Sequence, residues 1–151
     1  MFAQANEYLR RAIEIDPNYA GPYAALAWAY IMDYQNRWSE SPETALDQAA
    51  RLIDKAIEKD KNDPFVHYVA SLLGLWKKDF ECWAQEADTA LSLNPNYGHA
   101  HLARGLVYVY SGEPLKGISY MSKRCALTRP NNSTDISLAP LILSPEIMKP
   151  Q

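Results

Sequence analysis

Residues Ile15–Tyr30 read IDPNYAGPYAALAWAY, and residues Leu93–Tyr108 read LNPNYGHAHLARGLVY. Both stretches end one helical pattern with Asp/Asn-Pro-Asn-Tyr and open another rich in Ala and Tyr. A segment written twice at long range points to stacked units, so the period has to be settled before catalytic groups are sought. Aligning the acid or amide that closes each helix, Asp16, Asp60 and Asn94, gives offsets of 44 and 34 residues. The second offset is a standard helical-hairpin length. The first is that length with ten residues added, and the addition falls in DYQNRWSESPET, Asp33–Thr44, which is polar and proline-marked.

Apolar spacing supports the same frame. Ala5-Leu9-Ala12, Ala49-Ile53-Ala56 and Trp83-Ala87-Ala90 each step by four and then three, which puts each triplet on one helix face. Tyr23-Leu26-Ala27-Tyr30, His67-Ala70-Ser71-Gly74 and His101-Arg104-Gly105-Tyr108 step by three, four and seven on the alternate helices. Small residues in these sets let helices approach closely. The pattern predicts an all-α chain of seven helices near 3–15, 19–33, 42–59, 64–77, 80–93, 98–111 and 114–127. Ser41 and Asp63, each followed by proline, are expected N-caps. Pro17 and Pro95 stop helices because they lack an amide hydrogen and disfavour helical geometry just before them. Gly112-Glu-Pro marks the last tight turn.

This pattern resembles the tetratricopeptide repeat (TPR), whose motif is an aromatic, Leu-Gly/Ala and Tyr on the first helix, then Ala, a large apolar residue, Ala and Pro on the second. One repeat carries Tyr23, Leu26-Ala27, Tyr30, Ala49, Ile53 and Ala56, with Lys61 at the proline position. The next keeps the second-helix half and Pro95 but has Gly74 in place of Tyr. The last keeps Gly105 and Tyr108, while Arg124 falls on a small-residue position and Pro130 comes one residue late. The resemblance implies a TPR-like α-α superhelix (a solenoid) over residues 1–130: a half repeat at 2–17 and repeats at 18–61, 62–95 and 96–130. The texture of residues 16–60 is similar to repeat arrays attached to bacterial adenylate or guanylate cyclases and transcriptional regulators. No cyclase or DNA-binding motif is present in this sequence, so the likeness implies an accessory module.

Composition narrows the function classes. The chain has 151 residues, 48% apolar and 22% charged, with net charge −3, so no basic field draws nucleic acid or anionic membrane. The uncharged helical stretch Phe65–Trp76 is too short to span a bilayer. No basic-then-apolar leader opens the chain, and two scattered cysteines, Cys82 and Cys125, make no disulfide framework; together these suggest a reduced cytoplasmic protein, and the resemblance to bacterial repeat arrays implies a bacterial one. The overlapping sequons at 131–134 read as chance in a polar turn. No metal-ligand spacing, glycine-rich phosphate loop or nucleophile–base constellation appears, so no metal, cofactor or catalytic residue is expected and the chain is not expected to be an enzyme. His67 and His101 sit at equivalent repeat positions where an aromatic packs, and a packing role with a local hydrogen bond is expected. His99 and His101 point to different helix faces. The acidic groups Glu58, Asp60 and Asp63 read as a solvated helix end.

By the resemblance, first helices line a concave groove. Its positions here fall on Gly21, Ala24, Trp28, Ile31 and Met32; on Phe65, Tyr68, Leu72, Leu75 and Trp76; and on His99, Leu102, Leu106, Val109 and Tyr110. The expected function is a non-enzymatic protein–protein interaction scaffold that binds a partner helix or peptide on this apolar face. Trp28, Phe65, Tyr68, Leu72, Trp76, His99, Leu106 and Tyr110 are the candidate contacts, joined by Arg104 as an anchor for a ligand carboxylate or as a stem lying on apolar surface. Trp28, Tyr68, Leu72, Trp76 and Tyr110 are the anchors. Two other readings stay open: a regulatory or oligomerisation segment of a cyclase or transcriptional regulator, and a small-molecule binder in the aromatic groove. Superhelical curvature packing these side chains among neighbouring helices is the plainer alternative. The Lys and Asn with which one TPR variant grips chaperone C-termini are absent. The chain begins in mid-repeat, so a fragment, a swapped element and homodimerisation through the uncapped first helix are all in view. Residues 131–151, apolar but broken by Pro140, Pro145 and Pro150, are expected to lie extended or to dock in the groove.

Overall fold

The computed structural model describes residues 2–38 and 41–127. The segment 131–151, its sequons and part of the Asp33–Thr44 insertion lie outside the described residues. Seven helices follow in order: α1 (Phe2–Ile15), α2 (Ala20–Asn36), α3 (Pro42–Lys59), α4 (Pro64–Lys77), α5 (Phe80–Leu93), α6 (Gly98–Tyr110) and α7 (Pro114–Leu127). Among the described residues there is no strand.

The residues used for alignment build the same turn three times. The side chains of Asp16, Asp60 and Asn94 accept hydrogen bonds from the backbone N–H two residues on, at Asn18, Asn62 and Asn96 (3.1, 2.8 and 3.0 Å). Such Asx turns compete with the helical ladder and end it. The helix entered from each turn is then tied back. Tyr23 Oη donates to the Pro17 carbonyl at 3.1 Å, His67 Nε2 to Lys61 at 2.8 Å and His101 Nε2 to Pro95 at 2.7 Å, six residues upstream in every case.

The hairpins α2–α3, α4–α5 and α6–α7 pack most extensively, and α2, α4 and α6 also lie against one another as an inner row. The triplet Ala49, Ile53 and Ala56 is buried, as are Trp83, Ala87 and Ala90. In both sets the packing face therefore sits where the spacing puts it. The middle hairpin exchanges sizes with its neighbours. Where α2 and α6 carry Tyr30 and Tyr108, α4 carries Gly74; where α3 and α7 carry Ala49 and Gly117, α5 carries Trp83. A Cβ on Gly74 would lie 2.7 Å from the Trp83 backbone nitrogen, so the α5 main chain fills the space a side chain would need. A Cβ on Gly117 would lie 2.7 Å from the Gly105 carbonyl oxygen, and α6 and α7 meet there backbone to backbone.

Capping follows expectation with one correction. Asp63 accepts from the Phe65 N–H at 2.8 Å, but Ser41 makes no side-chain cap bond. Its carbonyl instead accepts from the Thr44 hydroxyl at 2.7 Å and the Thr44 N–H at 3.2 Å. Asp79 caps α5 by accepting from the Cys82 N–H at 3.0 Å. The hairpin turns use left-handed residues: Arg37 (φ 51°), Lys78 (φ 60°) and Gly112 (φ 83°). The helix α2 runs three residues past the expected end, to Asn36, whose side-chain amide donates to the Met32 carbonyl at 2.7 Å.

Candidate partner-binding groove

The inner row presents most of the candidate contacts together, at unequal depth. Leu72 and Leu106 are 1% and 2% exposed, and Tyr68 and Trp76 are 5% and 8% exposed. All four belong to the main apolar core. These side chains, at positions the repeat pattern assigns to a partner, are therefore buried within the core of the fold. Trp28, Phe65 and Tyr110 are half-buried and pack on that core.

The aromatic groups interlock across helices. Tyr68 meets Tyr97 edge-on at 6.0 Å and His99 at 5.1 Å, which joins α4 to the start of α6. Tyr34 meets Trp76 edge-on at 5.6 Å. Edge-to-face pairs of this kind add about 0.5–1.5 kcal/mol beyond area burial. Burial, with Asp63 nearby, pushes the Tyr97 phenol up to about 12, and burial raises Tyr110 as well. Both phenols stay neutral at physiological pH.

Arg104 reaches from α6 to α5. Its Nε lies 2.8 Å from Asp88 Oδ1 on α5, with the oxygen off the N–H axis, so the contact is an ion pair without an aligned hydrogen bond. Its guanidinium also stacks over Tyr108 at 4.5 Å. Beside it, α5, the end of α6 and the turn to α7 border an open pocket of about 360 Å³ lined by Phe80, Trp83, Arg104, Val107 and Tyr110 among others. Sequence spacing did not reveal the Asp88 partner, because it connects two different hairpins.

His67 Nδ1 lies 2.6 Å from Glu86 Oε2, and its Nε2 faces the Lys61 carbonyl, so both nitrogens face acceptors, an arrangement that favours the protonated ring. The hydrogen bond to Glu86 raises its pKa above the ordinary 6.5, against the opposing effect of burial. Both nitrogens are engaged by partners within the fold. Burial, aided by Asp79 and Glu86, pushes the Cys82 thiol up and away from thiolate chemistry. Among the described residues, no group of three or more His, Cys, Asp or Glu could hold a metal ion. No helix among them is long and apolar enough to cross a membrane.

The chain matches no family model. Its architecture superimposes on a thermophilic TPR protein of Thermus thermophilus with a TM-score of 0.71 at 17% identity, covering 91% of this chain and 71% of that one. The fold is a tetratricopeptide repeat superhelix. The TPR architecture is shared with the Pseudomonas aeruginosa protein PilF, at a TM-score of 0.65 and 26% identity over 94% of this chain and 60% of the other. It is shared too with MamA, at a TM-score of 0.60 and 21% identity over 84% of this chain and 68% of the other. In sequence, 75 residues of this chain are 33% identical to "Putative adenylate cyclase 3" of Rhizobium meliloti (strain 1021). That match takes in 50% of this chain and 13% of the relative's length.

Proposed function

We propose that the chain is a non-enzymatic scaffold that binds a helix or an extended peptide of a protein partner along the inner row. One observation carries this reading: Trp28, Phe65 and Tyr110, one from each of α2, α4 and α6, stay half-buried on a continuous apolar floor. An amphipathic helix or peptide completes such a face by adding apolar contacts at repeated spacing. Half-buried aromatic rings on a fixed floor lose little entropy on binding and give large contact area, which is what interface anchors supply. Leu72, Leu106, Tyr68 and Trp76 contribute shape and rigidity beneath them.

Photo-crosslinking tests the proposal. A benzophenone amino acid is placed at Phe65 or Tyr110, and at the outward positions Lys55 and Glu81 as controls. Defined adducts from Phe65 and Tyr110, with none from Lys55 or Glu81, are expected. Equal adducts from both faces sink the reading.

The stretch shared with the Rhizobium meliloti protein favours a second reading, in which the chain is a regulatory or oligomerisation segment of a cyclase or transcriptional regulator. Extending the reading frame at the native locus decides it: a cyclase or DNA-binding domain in the same frame supports the reading, and its absence removes it.

A further inference from the structure

The last helix breaks a rule that the two hairpins before it keep. On α3, Asp47, Arg51, Asp54 and Glu58 put a charge at each of four exposed positions. Thirty-four residues on, α5 keeps a charge at two of the four, Glu81 and Asp88. On α7 the same positions hold Leu115, Ser119, Ser122 and Ala126, exposed and all uncharged. Leu115 is 82% exposed at the place where the other two hairpins carry a carboxylate. The lysines of α7 are turned to other work: Lys116 pairs with Glu113 and lies over the Tyr108 ring, and Lys123 lies over Tyr120.

Two neighbouring positions point the same way. Ile118 succeeds Ala50 and Ala84, and Cys125 succeeds Ile57 and Leu91. The earlier residues are half-buried, on helices that α4 and α6 pack against, whereas Ile118 is 57% exposed and Cys125 is exposed with it. Helical spacing puts Leu115, Ile118, Ser122, Cys125 and Ala126 on one side of α7. Among the described residues α7 packs only on α6, so no other described helix covers that side. Repeat arrays end in units with a polar outer face, because an uncovered apolar one is a liability for solubility. This helix has lost polarity where an end unit needs it.

We propose that this side of α7 is the docking surface for the chain's own residues 136–143, ISLAPLIL. These residues lie outside the described ones, and the segment that holds them, 128–151, follows directly from Leu127, where α7 ends. From Leu115 to Ala126 the helix runs about 17 Å, which an extended chain crosses in about five residues. Residues 128–135 supply the length to turn back, and Asn131-Asn132-Ser133-Thr134 is a turn-forming composition. Alternation in an extended run puts Ile136, Leu138 and Ile142 on one side, and Pro140 keeps the run from becoming a long helix. Tethering gives the segment an effective concentration in the range of about 1 mM, whereas a second copy of the chain would pay the full entropy of association. Docked here, and not in the groove, the segment leaves the inner row open to a partner.

The test uses the whole chain. A benzophenone amino acid replaces Ile118, and equal amounts of ¹⁵N-labelled and unlabelled chain are irradiated together, so isotope pairing separates adducts within one chain from adducts between two. Adducts within one chain that map to residues 136–148 are expected. Adducts between chains, adducts confined to the helices, or no adduct each overturn the proposal. Alkylation of Cys125, followed peptide by peptide in mass spectrometry, gives a second measure. The double variant Leu138→Asp/Ile142→Asp changes no residue of the seven helices. Cys125 is expected to react about tenfold faster in it than in the wild type, the ratio for a docked state favoured by about 1.4 kcal/mol. Equal rates overturn the proposal as well.

Discussion

His67 and His101 occupy the same place in successive repeats and donate alike to a carbonyl six residues upstream, yet only His67 meets a carboxylate on its other nitrogen. The Nδ1 of His101 is buried without a hydrogen-bond partner among the described residues. One repeat therefore carries a clasp with a carboxylate partner and the next a clasp with the carbonyl alone.

The carboxylate clasp makes stability depend on pH. The His67 pKa is raised in the folded chain above the ordinary value of 6.5. A raised folded value means that the native state holds the proton more tightly than the unfolded state. The contribution is full below 6.5 and is lost as pH rises through the raised folded value. The urea midpoint of the wild type is expected to fall over that window. Glu86→Gln is expected to flatten the dependence and to cost about 1 kcal/mol at the acid end, where the pair is formed. A midpoint slope unchanged by Glu86→Gln refutes the assignment.

Left-handed turn residues give a second, independent lever. Lys78 and Gly112 are 34 residues apart and close equivalent hairpins, but only one of them is glycine. A side chain at positive φ costs of order 1 kcal/mol. Lys78→Gly is expected to stabilise by about 0.5–1 kcal/mol, and Gly112→Ala to destabilise by about 1 kcal/mol. Chemical denaturation of both variants checks the signs.

Gly74 tests how close α4 and α5 lie. The obstacle to a Cβ is the Trp83 backbone, at 2.7 Å from its nitrogen and 3.0 Å from its Cα, and not the indole. Gly74→Ala is expected to cost about 1–3 kcal/mol, and Trp83→Ala about 3–5 kcal/mol by opening a cavity. Because main chain is what blocks the methyl, the double variant gains no rescue from the smaller residue. A double-mutant cycle reads this directly, and strong favourable coupling contradicts it.

Arg104 and Asp88 are expected to contribute unequally. The carboxylate side chain is 54% exposed and the arginine side chain 17%. Asp88→Asn is expected to cost at most about 1 kcal/mol, since solvent screens half-exposed pairs. Arg104→Ala is expected to cost more, because the stacked guanidinium over Tyr108 goes with it. Thermal unfolding of the two variants ranks them.

The repeat frame was legible because its markers are local. Asp16, Asp60 and Asn94 each make their turn with a backbone N–H two residues away, and such short-range chemistry is written in consecutive letters. Asp79 carried the same kind of signal, an acid just before an apolar helix, and could have been found as a cap. Depth was not legible. Tyr68 and Leu72 read as groove positions from their register, but α2, α4 and α6 close over them, and that closure depends on contacts between distant hairpins. The Arg104–Asp88 pair and the pocket beside Trp83 were hidden for the same reason.

The place of α4 has a consequence for how the molecule comes apart. Among the described residues it touches α2, α3, α5 and α6, whereas α1 touches only α2 and α7 only α6. Amide exchange should therefore be graded inward from both edges, with the two outer helices opening locally and α4 protected until the whole chain gives way. A rotation of either outer hairpin reaches the opposite side only through this one central rod, which makes it the fulcrum on which any change of curvature must turn.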